Sequence, residues 1–134
     1  EPLLLRQIET ASDRILVAAY AFTRTRIGSA LVAAHVRGVD VKVKVDTRQA
    51  EYKSADRLMK YLARNGIPVT RITMKGEYSA MHNKFMVIDD RYVLAGSYNF
   101  TTTAGAANWE NLLLVDSPEI AKRYEAAWDA VVSE

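Results

Sequence analysis

Apolar and polar positions alternate along this chain with two different periods, one typical of strands and one typical of helices. Residues 14–22 form a nearly continuous apolar run, which predicts a strand that is buried on both faces. Residues 39–46 alternate strictly, with valine at each odd position and a charged residue at each even position. This period of two predicts a strand with one apolar face and one polar face.

Segments with a helical period surround these strands. The apolar stripe of the first helix is formed by Leu4, Ile8 and Ala11, and that of the second by Ile27, Ala30, Leu31 and Ala34. A third helix is predicted over residues 54–64, ending at Asn65-Gly66. The last helix begins at residues 117–119, where a capping serine precedes a proline and an acid. Its buried stripe is predicted to be Ile120, Tyr124, Ala127, Trp128 and Val131.

The remaining apolar segments are residues 81–89, 92–96 and 112–115. The first two are separated by a short polar turn and predict a β-hairpin, and the third predicts one more strand. Strand–helix–strand repeats favour parallel strands with helices on both faces of the sheet, and the hairpin adds an antiparallel pair. The sequence therefore predicts a single α/β domain over residues 1–134, with a mixed, mostly parallel sheet.

Composition excludes several classes of function. The 18 basic and 16 acidic residues give a net charge of +2 over 134 residues, and no charge run indicates a polyanion partner. The chain has no cysteine, which excludes disulfides, a thiolate nucleophile and thiolate-bound zinc within it. No apolar stretch reaches the roughly 20 residues of a membrane-spanning helix, so we expect no stable membrane insertion by this segment.

Candidate chemistry lies at the start of the predicted hairpin. His82 and Lys84 are two positions apart, so a strand would project both side chains from one face, just ahead of an apolar run. An imidazole and an ammonium are unfavourable there unless partners or an anion compensate them. A nucleophile or acid–base group beside a fixed cation is suited to attack on a phosphodiester. A lone histidine is more often structural or merely exposed, and that alternative stays open here.

The residues that follow the hairpin add hydrogen-bonding groups. Ser97 carries a hydroxyl, Asn99 carries a carboxamide, and Gly96 allows close approach of the main chain. Together with Lys84, the serine and asparagine are suited to bind the non-bridging oxygens of a phosphate. No pair of acids with metal-ligand spacing accompanies them, so we expect a mechanism without a metal ion or another cofactor.

Asp89 has a different prediction. It lies seven positions after His82, an odd offset that points it to the opposite face of a regular strand. It also lies at the far end of that strand, roughly 20 Å away in extended chain. Asp89 is therefore predicted to be structural, fixing the hairpin or a neighbouring loop.

Other charged and aromatic residues have two interpretations each. Lys42 and Lys44 share one face of a strand, and they either line a substrate track or are ordinary surface lysines. Tyr78 is in a predicted loop, where it would either stack on a base or have no role. His35, the second histidine, is predicted to lie on the surface. Cations around the third helix either meet a nucleic acid backbone or form a solvated face: Arg48, Lys53, Arg57, Lys60 and Arg64.

The spacing His82-x-Lys84-x4-Asp89, followed by Gly96-Ser97-x-Asn99, resembles the motif of the phospholipase D superfamily. The small bacterial endonucleases of that superfamily carry similar short sequences at the positions of four segments of this chain, which are residues 19–23, 37–42, 65–68 and 96–101. The resemblance implies the superfamily's fold and a two-step displacement. The histidine of one motif attacks phosphorus to give a phosphohistidine, while the histidine of a second motif protonates the leaving oxygen. Water activated by that second histidine then releases the product.

This chain carries one such motif, so the resemblance implies a homodimer with one composite site on its two-fold axis. Two His82 side chains would then take opposite protonation states, which predicts a bell-shaped pH–rate profile. Glu110 matches the position where relatives carry an acid that contacts the catalytic histidine, and it would hold the imidazole tautomer. The alternative for Glu110 is a solvated loop acid.

The leading interpretation is therefore a metal-independent phosphodiesterase, an endonuclease that hydrolyses DNA, or RNA, with little base specificity. The first alternative keeps the chemistry and takes a phospholipid headgroup, although no lipid-inserting amphipathic segment is visible. The second alternative is a nucleic-acid-binding module without turnover. The family resemblance also favours an exported bacterial protein.

Overall fold

The computed structural model describes residues 2–97, 99–101 and 111–134 of the chain. Within these residues, one sheet of six strands is covered by helices on both faces, which confirms the predicted mixed α/β class. The elements follow one another as α1 (Pro2–Thr10), β1 (Arg14–Ala19), α2 (Thr25–Val36), β2 (Asp40–Asp46), α3 (Thr47–Ala50), α4 (Lys53–Arg64), β3 (Val69–Ile72), β4 (Lys84–Ile88), β5 (Tyr92–Gly96), β6 (Leu112–Asp116) and α5 (Pro118–Ala130).

The strands lie side by side in the order β3-β2-β1-β4-β5-β6. The pairings of β2 with β3 and with β1 are parallel, whereas the three pairings from β1 across to β6 are antiparallel. The sheet is mixed, as predicted, but only one half of it is parallel. The reason is that a loop rather than a crossover helix leads from β3 to β4, so β4 enters beside β1 in the opposite direction.

Two apolar layers hold the helices to the sheet. On one face, α1, α2 and α4 bury side chains against β1 and β2, among them Ile8, Leu31 and Leu62 with no exposed surface. On the other face, α5 packs through Ala121 against Leu16 and other apolar residues of the central strands. Apolar area removed from water stabilises both layers by about 25 cal/mol per Å².

The helix α5 contacts the sheet through a stripe that differs from the predicted one. Within this helix Ala121 is buried and Tyr124 and Trp128 are half-buried, whereas Ile120 is 37% exposed. The Trp128 indole N–H donates to the carbonyl oxygen of Val17 at 2.9 Å. Positions 121, 124 and 128 are three and four apart, so the true stripe also has a helical period. The observed stripe contains Ala121 and lacks the predicted Ile120 and Ala127.

One end of the sheet gathers the candidate residues. The register pairs Ala19 with both Val45 and Lys84, so the carboxyl ends of β1 and β2 lie beside the amino end of β4. The carboxyl end of β5 follows, because Phe85 pairs with Ala95. We call this end of the sheet the site edge, and it comprises the described residues at or next to these strand ends: 19–20, 45–49, 81–84, 96–97 and 99.

Candidate active site

His82 and Lys84 are in direct contact at the site edge. The Lys84 ammonium Nζ lies 2.9 Å from His82 Nδ1 and 3.3 Å from His82 Nε2, and it donates to the His82 carbonyl oxygen at 3.0 Å. His82 is exposed and Lys84 is half-buried. The strand begins at Lys84, so His82 lies just before it. Because an ammonium has only donors, a hydrogen bond to the imidazole requires a ring nitrogen with a lone pair, as a nucleophile does.

Tyr20 packs against both of these residues. The ring centroids of Tyr20 and His82 are 4.4 Å apart, with the ring planes inclined by 50°. The Lys84 ammonium lies 5.3 Å from the Tyr20 ring centroid, within the range of a cation–π contact. The Tyr20 hydroxyl oxygen accepts a hydrogen bond from Gln49 Nε2 at 3.0 Å. No role is predicted for Tyr20 from the sequence, although its place directly after a buried parallel strand is a general signal for functional residues.

A buried carboxylate, that of Asp46, links two segments of the site edge. Asp46 is 3% exposed, its Oδ1 accepts from the Met81 N–H at 3.0 Å, and its Oδ2 accepts from the Gln49 N–H at 3.1 Å. One oxygen therefore holds the main chain just before His82, and the other caps the start of α3. The alternation of β2 predicts a polar face for Asp46 but not the segments that pack around it.

The segment after β5 also reaches the site edge. Ser97 Oγ accepts from the Asn111 N–H at 3.0 Å. The Phe100 carbonyl oxygen accepts from the Thr23 N–H at 2.8 Å, which ties this segment to the end of β1. Asn99 is half-buried, and its Oδ1 has no hydrogen-bond partner among the described residues. The structure thus brings a hydroxyl and a carboxamide to the same end of the sheet as His82.

Gly96 and Asp89 have contacts that serve the fold. A Cβ on Gly96 would lie 2.0 Å from the Asn111 carbonyl oxygen, so only a glycine lets the start of β6 approach β5 this closely. Asp89 lies at the end of the sheet opposite to His82, with a left-handed φ of 56°. Its carboxylate accepts, at 3.0, 2.7 and 3.1 Å, from the main-chain N–H groups of Ser12, Asp13 and Arg14. These bonds hold the loop between α1 and β1.

Lys44 is buried, contrary to both interpretations of its role. It is 8% exposed, and its ammonium donates to the carbonyl oxygens of Trp128 and Val131, both at 2.7 Å. Burial lowers the pKa of the Lys44 ammonium, and the charge of Asp129 opposes that shift. Both interpretations of Lys44, a substrate track and a surface lysine, were wrong because the end of α5 lies over its side chain. Lys42, on the same strand, is half-exposed.

The cations around the third predicted helix have different surroundings. Arg48 donates from Nη1 and Nη2 to the carbonyl oxygens of Glu77 and Gly76, at 2.7 and 2.8 Å, and so holds the loop that carries Tyr78. Tyr78 is 94% exposed. Lys60 forms an ion pair with a neighbouring carboxylate on its own helix. The three others are exposed, as either interpretation requires: Lys53, Arg57 and Arg64.

Four further expectations concern Glu110, metal binding, membrane insertion and His35. Glu110 lies outside the described residues, so its contact with His82 stays a prediction. Among the residues that the structure describes, no group of three or more His, Cys, Asp or Glu side chains is arranged to hold a metal ion. In the same part of the chain, no helix combines the length and the apolar character needed to cross a membrane. The second histidine, His35, is half-buried rather than fully on the surface.

Comparison with known proteins finds one family along almost the whole chain. Residues 4–132 match the family described as cardiolipin synthase, phospholipase D-like domain. Among solved structures, Nuc from Salmonella typhimurium, a phospholipase D family member, is similar with a TM-score of 0.91. It is 34% identical in sequence, and the match covers 97% of this chain and 84% of that one.

Curated relatives are similar at comparable identity but are longer. A phospholipase D of Rickettsia typhi is 33% identical over 125 residues, which are 93% of this chain and 59% of that protein. The mitochondrial cardiolipin hydrolase of Mus musculus is 28% identical over 137 aligned positions, covering 94% of this chain and 57% of that protein. The chain thus spans somewhat more than half the length of these relatives.

Proposed function

Because this chain belongs to the phospholipase D superfamily, we propose that it is a metal-independent phosphodiesterase that hydrolyses nucleic acid. The observation that carries the proposal is the contact of His82 with Lys84, in which a ring nitrogen and a cation lie 2.9 Å apart at the exposed site edge. A phosphodiester offers an electrophilic phosphorus and anionic oxygens, which match these two groups.

In the proposed reaction, a ring nitrogen of His82 attacks phosphorus, so that a nitrogen–phosphorus bond forms and the bond to the leaving oxygen breaks. The protonated His82 of a second copy of the chain gives its proton to that oxygen. The same histidine then takes a proton from water, whose oxygen attacks phosphorus and displaces the first His82. Both histidines return to their starting states, and one water is consumed for each bond cleaved.

The remaining site residues would bind and orient. Lys84, Ser97 and Asn99 would donate to the non-bridging oxygens, where negative charge increases in the transition state. Asn99 would donate through its N–H₂ group, because the carboxamide oxygen can only accept. Glu110 would accept from the second ring nitrogen of His82 and so fix its tautomer.

Two substrate classes are compatible with this chemistry. Phospholipid is favoured by the names of the curated relatives, but the chain spans only 59% and 57% of those proteins. Nucleic acid is favoured by the resemblance of the motif strings to small bacterial endonucleases. The match to Nuc covers 84% of that chain, so this domain accounts for most of Nuc, whereas it accounts for little more than half of the curated relatives. We therefore propose nucleic acid as the substrate, with DNA ahead of RNA, and keep phospholipid as the second candidate.

The test is cleavage of end-labelled single-stranded and double-stranded DNA in excess EDTA by the wild type, His82→Ala and His35→Ala. The wild type is expected to cleave in EDTA, and His82→Ala to be slower by about 10²–10⁴-fold, the range for an acid–base group. His35→Ala is the matched control, because His35 is the other of two histidines and lies beside Gly66, away from the site edge. It should retain the wild-type rate.

Each alternative has its own outcome in this assay. Cleavage abolished by EDTA would contradict the metal-independent mechanism. Vesicles of cardiolipin and phosphatidylglycerol, offered in parallel, address the second candidate: headgroup release without cleavage of DNA or RNA would establish a lipid substrate. Salt-sensitive binding of DNA without turnover would instead indicate a binding module.

The pH dependence of the rate tests the paired roles of the two histidines. One His82 must be neutral to attack and the other protonated to donate, so kcat/KM should rise and then fall with pH. The measurement is the initial rate on labelled DNA between about pH 4 and pH 9, the range around the ordinary histidine pKa. A rate that changes in one direction only would contradict the paired roles.

A further inference from the structure

A closed circuit of contacts connects the His82 ring to the main chain just before His82. The ring packs on Tyr20, the Tyr20 hydroxyl accepts from the side chain of Gln49, and the Gln49 main-chain N–H donates to Asp46. The other oxygen of Asp46 accepts from the N–H of Met81, the residue just before His82. The circuit therefore returns to its starting point, with a histidine at its exposed end and a carboxylate at its buried end.

The circuit constrains an otherwise mobile side chain. An exposed histidine samples several χ1 and χ2 rotamers unless contacts with other residues select one of them. The Tyr20 ring, with its centroid 4.4 Å from that of His82, removes the rotamers in which the imidazole would overlap it. The 3.0 Å bond from Gln49 in turn holds the position of the tyrosine hydroxyl, and with it the direction of the ring axis.

Lys84 is constrained by the same ring. Its ammonium lies 5.3 Å from the Tyr20 ring centroid and 2.9 Å from His82 Nδ1. A cation over the face of an aromatic ring is attracted by its negative quadrupole, most strongly where water is partly excluded. One tyrosine therefore contacts both the nucleophile and the cation of the proposed site.

We infer that Tyr20 is a positioning residue, which holds the imidazole of His82 in line with phosphorus and is itself held by Gln49 and Asp46. This inference rests on the proposed function for its catalytic consequence. Its structural part, the fixed orientation of the imidazole, does not depend on the identity of the substrate. Reactions of this kind are sensitive to such orientation, because a displacement on the order of 1 Å lowers a rate by roughly 10²-fold.

The experiment compares Tyr20→Leu and Tyr20→Phe with the wild type, and uses Tyr92→Leu as the matched control. Tyr92 is also half-buried, and it begins β5 at the end of the sheet opposite to the site edge. We expect Tyr20→Leu to lower kcat by roughly 10²-fold with KM changed by less than about 3-fold, since positioning acts on the reacting geometry. Tyr20→Phe keeps the ring and loses the hydrogen bond from Gln49, so its kcat should lie between that of the wild type and that of Tyr20→Leu.

A spectroscopic readout separates positioning from general destabilisation. The imidazole protons of His82 lie beside an aromatic ring and should show a ring-current shift and a nuclear Overhauser contact with the Tyr20 ring protons. Both signals should disappear in Tyr20→Leu and persist in Tyr20→Phe and Tyr92→Leu, while the resonances of His35 serve as the internal reference. The chain has two histidines, so the assignment is direct.

The outcomes are distinguishable. A kcat of Tyr20→Leu equal to that of Tyr92→Leu would overturn the inference. So would His82 resonances that do not change, because the ring contact would then not exist in solution. These resonances need no turnover. A wild type that cleaves no oligonucleotide would contradict the proposed function. The spectrum would still show whether Tyr20 orients His82.

Discussion

The side chain of Lys84 has two roles: its apolar stem belongs to the packing of β4, and its ammonium belongs to the proposed site. Its main chain begins β4 beside Ala19, and its half-buried stem continues the apolar strand. Its ammonium leaves that surface and reaches the ring and the carbonyl oxygen of His82. In the proposed reaction the same ammonium would bind a non-bridging oxygen of the phosphate, where it offsets the charge that develops in the transition state.

Replacement of this ammonium gives a residue-scale prediction. Lys84→Met should lower kcat by about 10²–10³-fold, the range for loss of one donor to a developing oxyanion. The temperature of unfolding should change little, because methionine retains the apolar stem. Steady-state kinetics on labelled DNA and thermal unfolding are the measurements. Lys42→Met is the matched control, since Lys42 is a half-exposed lysine whose ammonium lies 4.0 Å from Asp40. Equal kcat values for the two variants would contradict the role of Lys84.

At this scale the sequence predicts residues whose neighbours are close in the chain. His82 and Lys84 meet because they are two positions apart, and Asp89 lies at the opposite end of the sheet because the length of β4 separates it from them. Asp46 and Lys44 were not predictable in this way. Alternation along β2 assigns each of them a face, but their partners come from the segment before His82 and from α5, which are distant in sequence.

At the scale of elements, strand direction and helix rotation depend on packing that local periodicity does not contain. The apolar run of β4 predicts a strand, but its direction follows from the loop that precedes it. The stripe of α5 has the predicted period, yet Ala121 rather than Ile120 faces the sheet. A small residue there allows α5 to lie close to the central strands, and Trp128 then reaches the carbonyl oxygen of Val17.

The link between α4 and β3 gives an element-scale prediction. Asp56 on α4 accepts from Lys60 at 2.9 Å and from Arg71 on β3 at 3.1 Å, and these bonds hold the pKa of the Asp56 carboxyl below its ordinary value of 3.8. A carboxyl with a lowered pKa stabilises the fold above its unfolded pKa, and that contribution is lost as the pH falls through the folded value.

The expected result is a pH-dependent difference between the wild type and Asp56→Asn. The variant should unfold at a lower temperature than the wild type above about pH 5, and the difference should shrink as the pH falls below about 4. Thermal unfolding between pH 2.5 and pH 7 measures it. Arg71→Met removes one partner of Asp56 and keeps its carboxyl. In the Arg71→Met background, the effect of Asp56→Asn on the unfolding temperature should therefore be smaller. A difference that stays constant down to the lowest pH would contradict the ion-pair explanation.

At the scale of the whole molecule, the arrangement of the histidines determines how the site can be complete. His82 is exposed at the site edge, and the other histidine, His35, lies beside Gly66 and away from the site edge. In the proposed mechanism, a second copy of the chain would supply the protonating His82. A two-fold axis beside the site edge would bring two His82 side chains to one phosphate, and this isologous arrangement uses the same surface of both copies.

The most direct test of this account is the rate of DNA cleavage, in excess EDTA, by wild type and His82→Ala refolded together in equal amounts. At constant total protein, only dimers with two intact His82 side chains should turn over, so random assortment predicts about one quarter of the wild-type rate. An equal mixture of the wild type with His35→Ala should retain the full rate. A rate of about one half in the first mixture would mean that each chain holds a complete site, and would contradict the composite site proposed here.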